Sequence, residues 1–142
     1  MKIIGIKKIS VKCFKNDKGD LLKFVSNKNS YFKSFGEIYF NEINHKKKKG
    51  WIKHKKSQCI FSVAYGEISF KFIDDRKNSR TFGKVENIIL NKNKHSVLIV
   101  PPGIWFSFTT NKKKSILVNL INGTNSLEET VKSKKIKNYY IK

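Results

Sequence analysis

Arginine is nearly missing from this sequence. Of its 31 basic residues only Arg76 and Arg80 are arginines, and the other 29 are lysines. Acidic residues number 10, which leaves a net charge of +21. Base and phosphate recognition draws on the planar guanidinium fork, and a dedicated reader of nucleic acid normally has more of it than this chain. The lysines are spread along the whole chain beside many Asn, Ile and Phe, the pattern of a compositional bias acting on solvent-facing positions. They still imply non-specific attraction to polyanions at low salt. Cysteine is also scarce. Cys13 and Cys59 show no metal-like spacing and are read as reduced, partly buried thiols. No apolar run approaches the roughly 18 residues of a membrane span, so no membrane partner is expected. Met1 to Lys8 lacks the apolar core and small-residue cleavage site of a signal peptide, which makes the cytoplasm the expected compartment.

What the chain does contain is material for a core. Hydrophobic residues make up 39%, with eleven Phe, five Tyr and two Trp among 142 residues, enough for one folded domain. Short apolar runs predict strands at Ile3 to Ile9, Leu21 to Val25, Glu37 to Ile43, Gln58 to Tyr65, Glu67 to Ile73, Val85 to Leu90, Ser96 to Val100, Trp105 to Thr109 and Ser115 to Ile121. Alternation is cleanest from Glu67 to Phe72, where apolar side chains fall on one face. Turn signals recur between the runs, at Asn16 to Gly19, Lys48-Lys49-Gly50, Tyr65-Gly66, Asp74 to Ser79, Asn91 to Asn93 and Pro101-Pro102-Gly103. Many short strands at this spacing indicate an all-β sandwich or barrel. Residues 1–130 are expected to form that domain. The lysine-rich segment 131–142 reads as a basic tail, either a short helix or a loose end.

Four segments, in order, resemble the dTDP-4-dehydrorhamnose 3,5-epimerase family and its small single-domain relatives. They are Phe35-Gly36-Glu37-Ile38-Tyr39-Phe40, Lys49-Gly50-Trp51-Ile52-Lys53-His54, Asp74-Asp75-Arg76 through Thr81-Phe82-Gly83, and Val100-Pro101-Pro102-Gly103-Ile104-Trp105. An Asp17-Lys18-Gly19 turn resembles the family's Asp-Arg-Gly. The resemblance implies a cupin, or jelly-roll, β-sandwich that works as a homodimer in surface-polysaccharide assembly. Its ligand would be a nucleotide sugar, a dTDP-linked 4-keto-6-deoxyhexose. The ketone acidifies the neighbouring C–H bonds, so epimerisation or isomerisation needs a base and an acid, with no metal or redox cofactor.

Set beside that family, the expected base position holds Ile52, which cannot take a proton. His54 matches the second histidine of the small relatives, and is either the acid–base group or a histidine tied into the barrel by hydrogen bonds. The segment aligned with the family's tyrosine acid, Asn119 to Asn125, has no tyrosine, and Phe106 stands where a histidine is expected. The resulting candidate site is an inward-facing cluster. His54 is the catalytic group, and Lys18, Lys49, Lys53, Trp105 and Asn119 are substrate-binding groups, the lysines for a diphosphate and Trp105 for a base or sugar. A metal cupin is not expected, because Ile52, His54, Gln58 and Phe106 at the ligand places supply one good donor. The alternative to an enzyme is a jelly roll without catalysis that uses its basic surface on nucleic acid or another polyanion.

Overall fold

The structure, a computed structural model, describes residues 2–124, 126 and 128–136. It is an all-β sandwich of twelve strands. They are β1 (Lys7–Ser10), β2 (Cys13–Phe14), β3 (Leu21–Leu22), β4 (Glu37–Asn44), β5 (Lys48–His54), β6 (Cys59–Tyr65), β7 (Glu67–Asp74), β8 (Val85–Asn91), β9 (Ser96–Val100), β10 (Ile104–Thr109), β11 (Lys114–Ile121) and β12 (Thr130–Lys132). One five-stranded sheet runs β1-β9-β6-β11-β4 and the other β12-β5-β10-β7-β8, with β2 and β3 as a separate pair. Each ladder is antiparallel, as sandwich strands joined by short turns require.

The core lies between the sheets and is built from phenylalanine. Phe61, Phe70, Phe72, Phe106 and Phe108 are each 3% exposed or less, and their rings meet at centroid separations of 5.2 to 6.5 Å. The alternation of Ile68, Phe70 and Phe72 along β7 points these side chains inward, as the sequence pattern predicts.

Four expected elements differ. The run Ile3 to Ile9 pairs only from Lys7. Gly5 at φ 93° turns the chain, and Ile3 is buried as a plug whose N–H donates to Glu86 Oε2 at 2.6 Å. The run Leu21 to Val25 pairs only over Leu21–Leu22, because Phe24 and Val25 leave the hairpin to cover Ile60, Val97 and Leu120 on the outer face of the first sheet. The stretch Lys48 to Gly50, read as a turn, opens strand β5. Toward the C-terminus the structure has strand instead of helix or loose chain. Thr130, Val131 and Lys132 pair with His54, Lys53 and Ile52, and among the described residues there is no α-helix. The last part of the expected tail, from Lys137 on, lies outside the described residues.

Strand β5 carries an irregularity that matters for the site. Phe106 pairs with Ile52, yet the next residue of β10, Ser107, pairs with Gly50, so Trp51 is an extra residue. Its N–H and C=O bond instead to Ser133 at 3.1 and 3.0 Å. Gly50 is required here: its φ is 104°, and a Cβ would lie 2.6 Å from the Phe106 carbonyl oxygen. Directly paired residues share a face. Lys49 pairs with Phe108 and Ile52 with Phe106, so the bulge puts an odd and an even residue on the same inner side.

Candidate active site

Between the sheets, a cavity of about 130 Å³ is lined by Tyr39, Asn41, Ile52, His54, Phe61, Phe106, Phe108, Leu117, Asn119, Thr130 and Lys132. Its two walls differ in chemistry. Ile52, the three phenylalanines and Leu117 make an apolar side, while His54, Tyr39, Asn41, Asn119 and Thr130 bring polar atoms to it.

His54 ends β5 and is 3% exposed. Its ring stacks on Phe106 at 6.2 Å and 23°. Nδ1 lies 3.3 Å from Thr130 Oγ1 on β12, and Nε2 has no hydrogen-bond partner. Burial lowers its pKa, with the Glu129 charge pulling weakly the other way, so the imidazole is neutral near pH 7. Asn119, on β11 of the opposite sheet, is 1% exposed. Its Nδ2 donates to Tyr39 Oη at 2.7 Å, and its Oδ1 has no partner. Among the described residues these two are the only buried side-chain nitrogen or oxygen atoms without a hydrogen bond, and both belong to groups lining the same cavity. A buried polar atom left unpaired costs about 1–3 kcal/mol, so both atoms call for a hydrogen-bonding partner within the cavity, water or a polar guest.

Tyr39 is the residue that sequence reasoning missed. The acid was sought on the segment beginning at Asn119, where there is no tyrosine. Tyr39 lies on β4, directly opposite Asn119 in the β4–β11 ladder, so its side chain shares the same face. Its phenol therefore enters from the neighbouring strand. Burial, with smaller contributions from Cys59 and Glu37, pushes its pKa up to about 12, against the Asn119 hydrogen bond, which lowers it. The only sequence signal was the inward alternation Tyr39, Asn41, Ile43, which sets two polar groups on a core-facing stripe. Cys59, behind Asn119, is fully buried and its thiol is pushed up to about 12 by desolvation, which keeps it neutral and unreactive.

The expected single inward cluster is divided by the structure. His54 and Asn119 line the cavity. Lys49 reaches its edge, where Nζ donates to Asn41 Oδ1, and Lys132 adds a second ammonium group. Lys53 and Trp105 are on the other face of the same sheet, because they alternate with His54 and Phe106 along β5 and β10. There Trp105 packs with Trp51, Ile73 and Ile136, its Nε1 donates to Asp75 Oδ2 at 3.1 Å, and Lys53 Nζ lies 4.6 Å from its ring centroid while bonding Asp75. Lys18 is in the exposed turn between β2 and β3, its N–H bonded to Asn16 Oδ1, and does not line the cavity. His45 is exposed and held by the Lys112 carbonyl, and His95 is buried against the Lys23 carbonyl, so neither serves this site. Among the described residues no group of three His, Cys, Asp or Glu side chains could hold a metal.

The comparisons bear on the family and the fold. The sequence profile described as dTDP-4-dehydrorhamnose 3,5-epimerase matches residues 1–136. None of the curated proteins matches the chain. Among solved structures, a dTDP sugar isomerase from Desulfovibrio desulfuricans G20 superposes with a TM-score of 0.92 at 22% identity, over 98% of this chain and 90% of that one. A dTDP-6-deoxy-D-glucose-3,5-epimerase from Legionella pneumophila Philadelphia 1, solved in complex with dTDP-4-keto-L-rhamnose, gives 0.85 at 17% identity, over 98% and 80%. A 4-keto-6-deoxy sugar epimerase of the novobiocin gene cluster of Streptomyces spheroides gives 0.87 at 14% identity, over 98% and 74%. At these identities the superpositions establish the cupin-like sandwich, and the match over nearly the whole sequence places the chain in the dTDP-4-dehydrorhamnose 3,5-epimerase family.

Proposed function

We propose that the cavity receives the sugar ring of a dTDP-linked 4-keto-6-deoxyhexose and moves a proton on a carbon beside its ketone. The observation that carries this reading is the pair of unpartnered atoms, His54 Nε2 on one sheet and Asn119 Oδ1 on the other, with the Tyr39 phenol beside the second. With its proton on Nδ1 toward Thr130, His54 presents an Nε2 lone pair to the cavity. Nε2 takes the proton as the C–H bond breaks, and the electron pair enters the enolate. Tyr39 Oη–H lies on the opposite sheet and can return a proton to the other face, which inverts the carbon. The Asn119 amide hydrogen bond to Tyr39 Oη stabilises the phenolate left behind until a proton is regained from the imidazolium or solvent.

The size of the cavity supports one placement of the rest of the ligand. A volume of about 130 Å³ equals that of a few waters at roughly 30 Å³ each. That room suits the reacting ring, and in this reading the diphosphate and nucleoside extend outside, where Lys49 and Lys132 offer positive charge. Lysine supplies point charge without the bidentate fork of arginine, so the diphosphate is held less rigidly. A role in surface-polysaccharide assembly in the cytoplasm, as a homodimer, completes the proposal. Strand β4 suits the dimer contact: it is an edge strand with Phe40 72% and Ile38 45% exposed.

Proton NMR of dTDP-4-keto-6-deoxyglucose in heavy water with the protein tests the reading. Loss of the C3 or C5 proton signal establishes enolisation. An unchanged spectrum with ligand line broadening identifies a binding protein whose catalysis was lost with the histidine replaced by Ile52. Absence of both overturns the substrate class. Ile52 lines the cavity two residues from His54 on the same strand face, so Ile52→His should add a second base and raise the exchange rate.

A further inference from the structure

Four turns meet at one end of the sandwich, around Asn44–His45, Tyr65–Gly66, Asn91–Asn93 and Lys112–Lys114, and enclose an open groove of about 940 Å³. We propose that this groove is a second binding site, for a nucleotide whose base stacks on Tyr65 and whose phosphates meet the lysines. This inference does not rest on the reading of the cavity.

Three observations carry it. First, the lining residues include four lysines and no carboxylate. Lys92 and Lys114 have acidic partners outside the groove, Asp20 and Glu42, each at 3.0 Å. Lys112 and Lys113 have no carboxylate within salt-bridge distance among the described residues. Second, Tyr65 is 61% exposed, although it ends a strand whose first five residues are buried. An exposed ring among lysines is the combination that binds single nucleotides and single strands, a stacking surface beside a track of positive charge. Asn44 and Asn93 add amide groups suited to a base edge or a ribose, while the Asn91 amide is held by Glu67 Oε2 at 2.7 Å and by the Asn93 N–H at 2.8 Å.

Third, the turns are tied to one another. His45 N–H donates to the Lys113 carbonyl at 3.1 Å and Lys46 N–H to the Thr110 carbonyl at 2.9 Å, joining the β4–β5 and β10–β11 turns. His45 Nδ1 contacts the Lys112 carbonyl at 3.1 Å. Lys92 N–H donates to the Gly66 carbonyl at 3.0 Å, and the Thr110 hydroxyl donates to the Glu67 carbonyl at 2.7 Å. Lysines on independent loops would relax apart under mutual repulsion. Here the backbone holds them together, and a bound polyphosphate would offset that repulsion. Its volume lies within the roughly 300–1,000 Å³ of small-molecule sites, where a nucleoside polyphosphate or a short strand both fit. The two share the same chemistry.

The test is fluorescence anisotropy with a labelled oligoadenylate across a salt series, with ATP as competitor; adenine ligands keep the result apart from any thymidine nucleotide bound at the cavity. Binding is expected, and Tyr65→Ala should weaken it by about 5- to 150-fold, the range for loss of one stacked base. Lys112→Glu with Lys113→Glu should also lower the log–log salt slope by about 1.4, at roughly 0.7 per lost phosphate contact. Displacement by ATP identifies a free nucleotide as sufficient, and binding that ATP does not displace identifies a strand. The proposal is overturned if oligoadenylate does not bind at low salt, or if Tyr65→Ala has no effect. It is equally overturned if the same charge reversal at the exposed Lys28 and Lys33, outside the groove, weakens binding as much, since diffuse attraction to a +21 surface would then explain everything.

Discussion

Asp74 closes β7 and His54 closes β5, with β10 between these two strands in the same sheet. Both side chains are buried, at 0% and 3% exposure, yet their surroundings differ in kind. The Asp74 carboxylate accepts from Arg76 Nε and Nη2, the Arg76 N–H, and the Ser79 and Thr81 hydroxyls, at 2.6 to 3.1 Å. Burial alone would raise its pKa, but these bonds outweigh it and hold the group down at about 2. His54 has one long contact to Thr130 and an empty Nε2. A satisfied buried charge fixes a turn. The His54 imidazole instead leaves a hydrogen-bonding position open toward the cavity. The two sites thus contrast satisfied and unsatisfied buried polarity within one sheet.

The largest way to break that contrast is at Asp74. Asp74→Ala removes the acceptor shared by the Arg76 guanidinium and two hydroxyls, leaving Arg76 Nη2 only the Ile4 carbonyl, and should lower unfolding free energy by about 3–5 kcal/mol in urea denaturation. The corresponding change on the other side, His54→Gln, should reverse the balance: proton exchange on the keto sugar falls by about 10²–10⁴-fold, while stability stays within about 1 kcal/mol. Loss of stability without loss of exchange at His54 would make it a structural histidine like His95.

Protonation sharpens the comparison. The His54 pKa is depressed below its ordinary 6.5, so the unfolded chain binds a proton that the folded one refuses. Stability is therefore full above about pH 6.5 and declines as pH falls from there toward the folded value. Asp74 acts lower, keeping its contribution above its ordinary 3.8 and losing it as pH drops through about 2. Thermal melts between pH 7 and 5 should slope in the wild type and flatten in His54→Gln, while the steep loss at more acidic pH remains. The smallest expected effect is at the cavity edge. Lys49→Met should weaken dTDP binding by about two- to fivefold, with a reduced salt dependence, because an exposed charge contributes roughly 0.2–1 kcal/mol.

Legibility from sequence followed the same division. Glu67–Asp74, with its alternating apolar stripe, and Ser96–Val100, a continuous apolar run buried on both faces, were readable to within a residue because both patterns are local properties. Strand β5 was not, since Lys48, Lys49 and Gly50 look like a turn and become strand only through pairing with β10. The placement of His54 and Asn119 on the cavity was legible through the resemblance. That of Tyr39 was not, because it depends on the β4–β11 register, which brings together residues eighty positions apart. Lys53 and Trp105 were assigned to the wrong face for the complementary reason: their motifs are contiguous with the site residues in sequence, and alternation turns every second side chain away.

Trp51 shows what such alternation permits. Membership of the cavity along β5 is a question of parity, and the extra residue at Trp51 changes the parity once, between Lys49 and Ile52. Substitutions leave the count intact, so a base can give way to isoleucine at position 52 while every neighbour keeps its orientation. Deletion of Lys49 acts otherwise: Lys48 takes its place as the side chain opposite Phe108. The chemistry of this wall is thus free to drift letter by letter, while its length is locked.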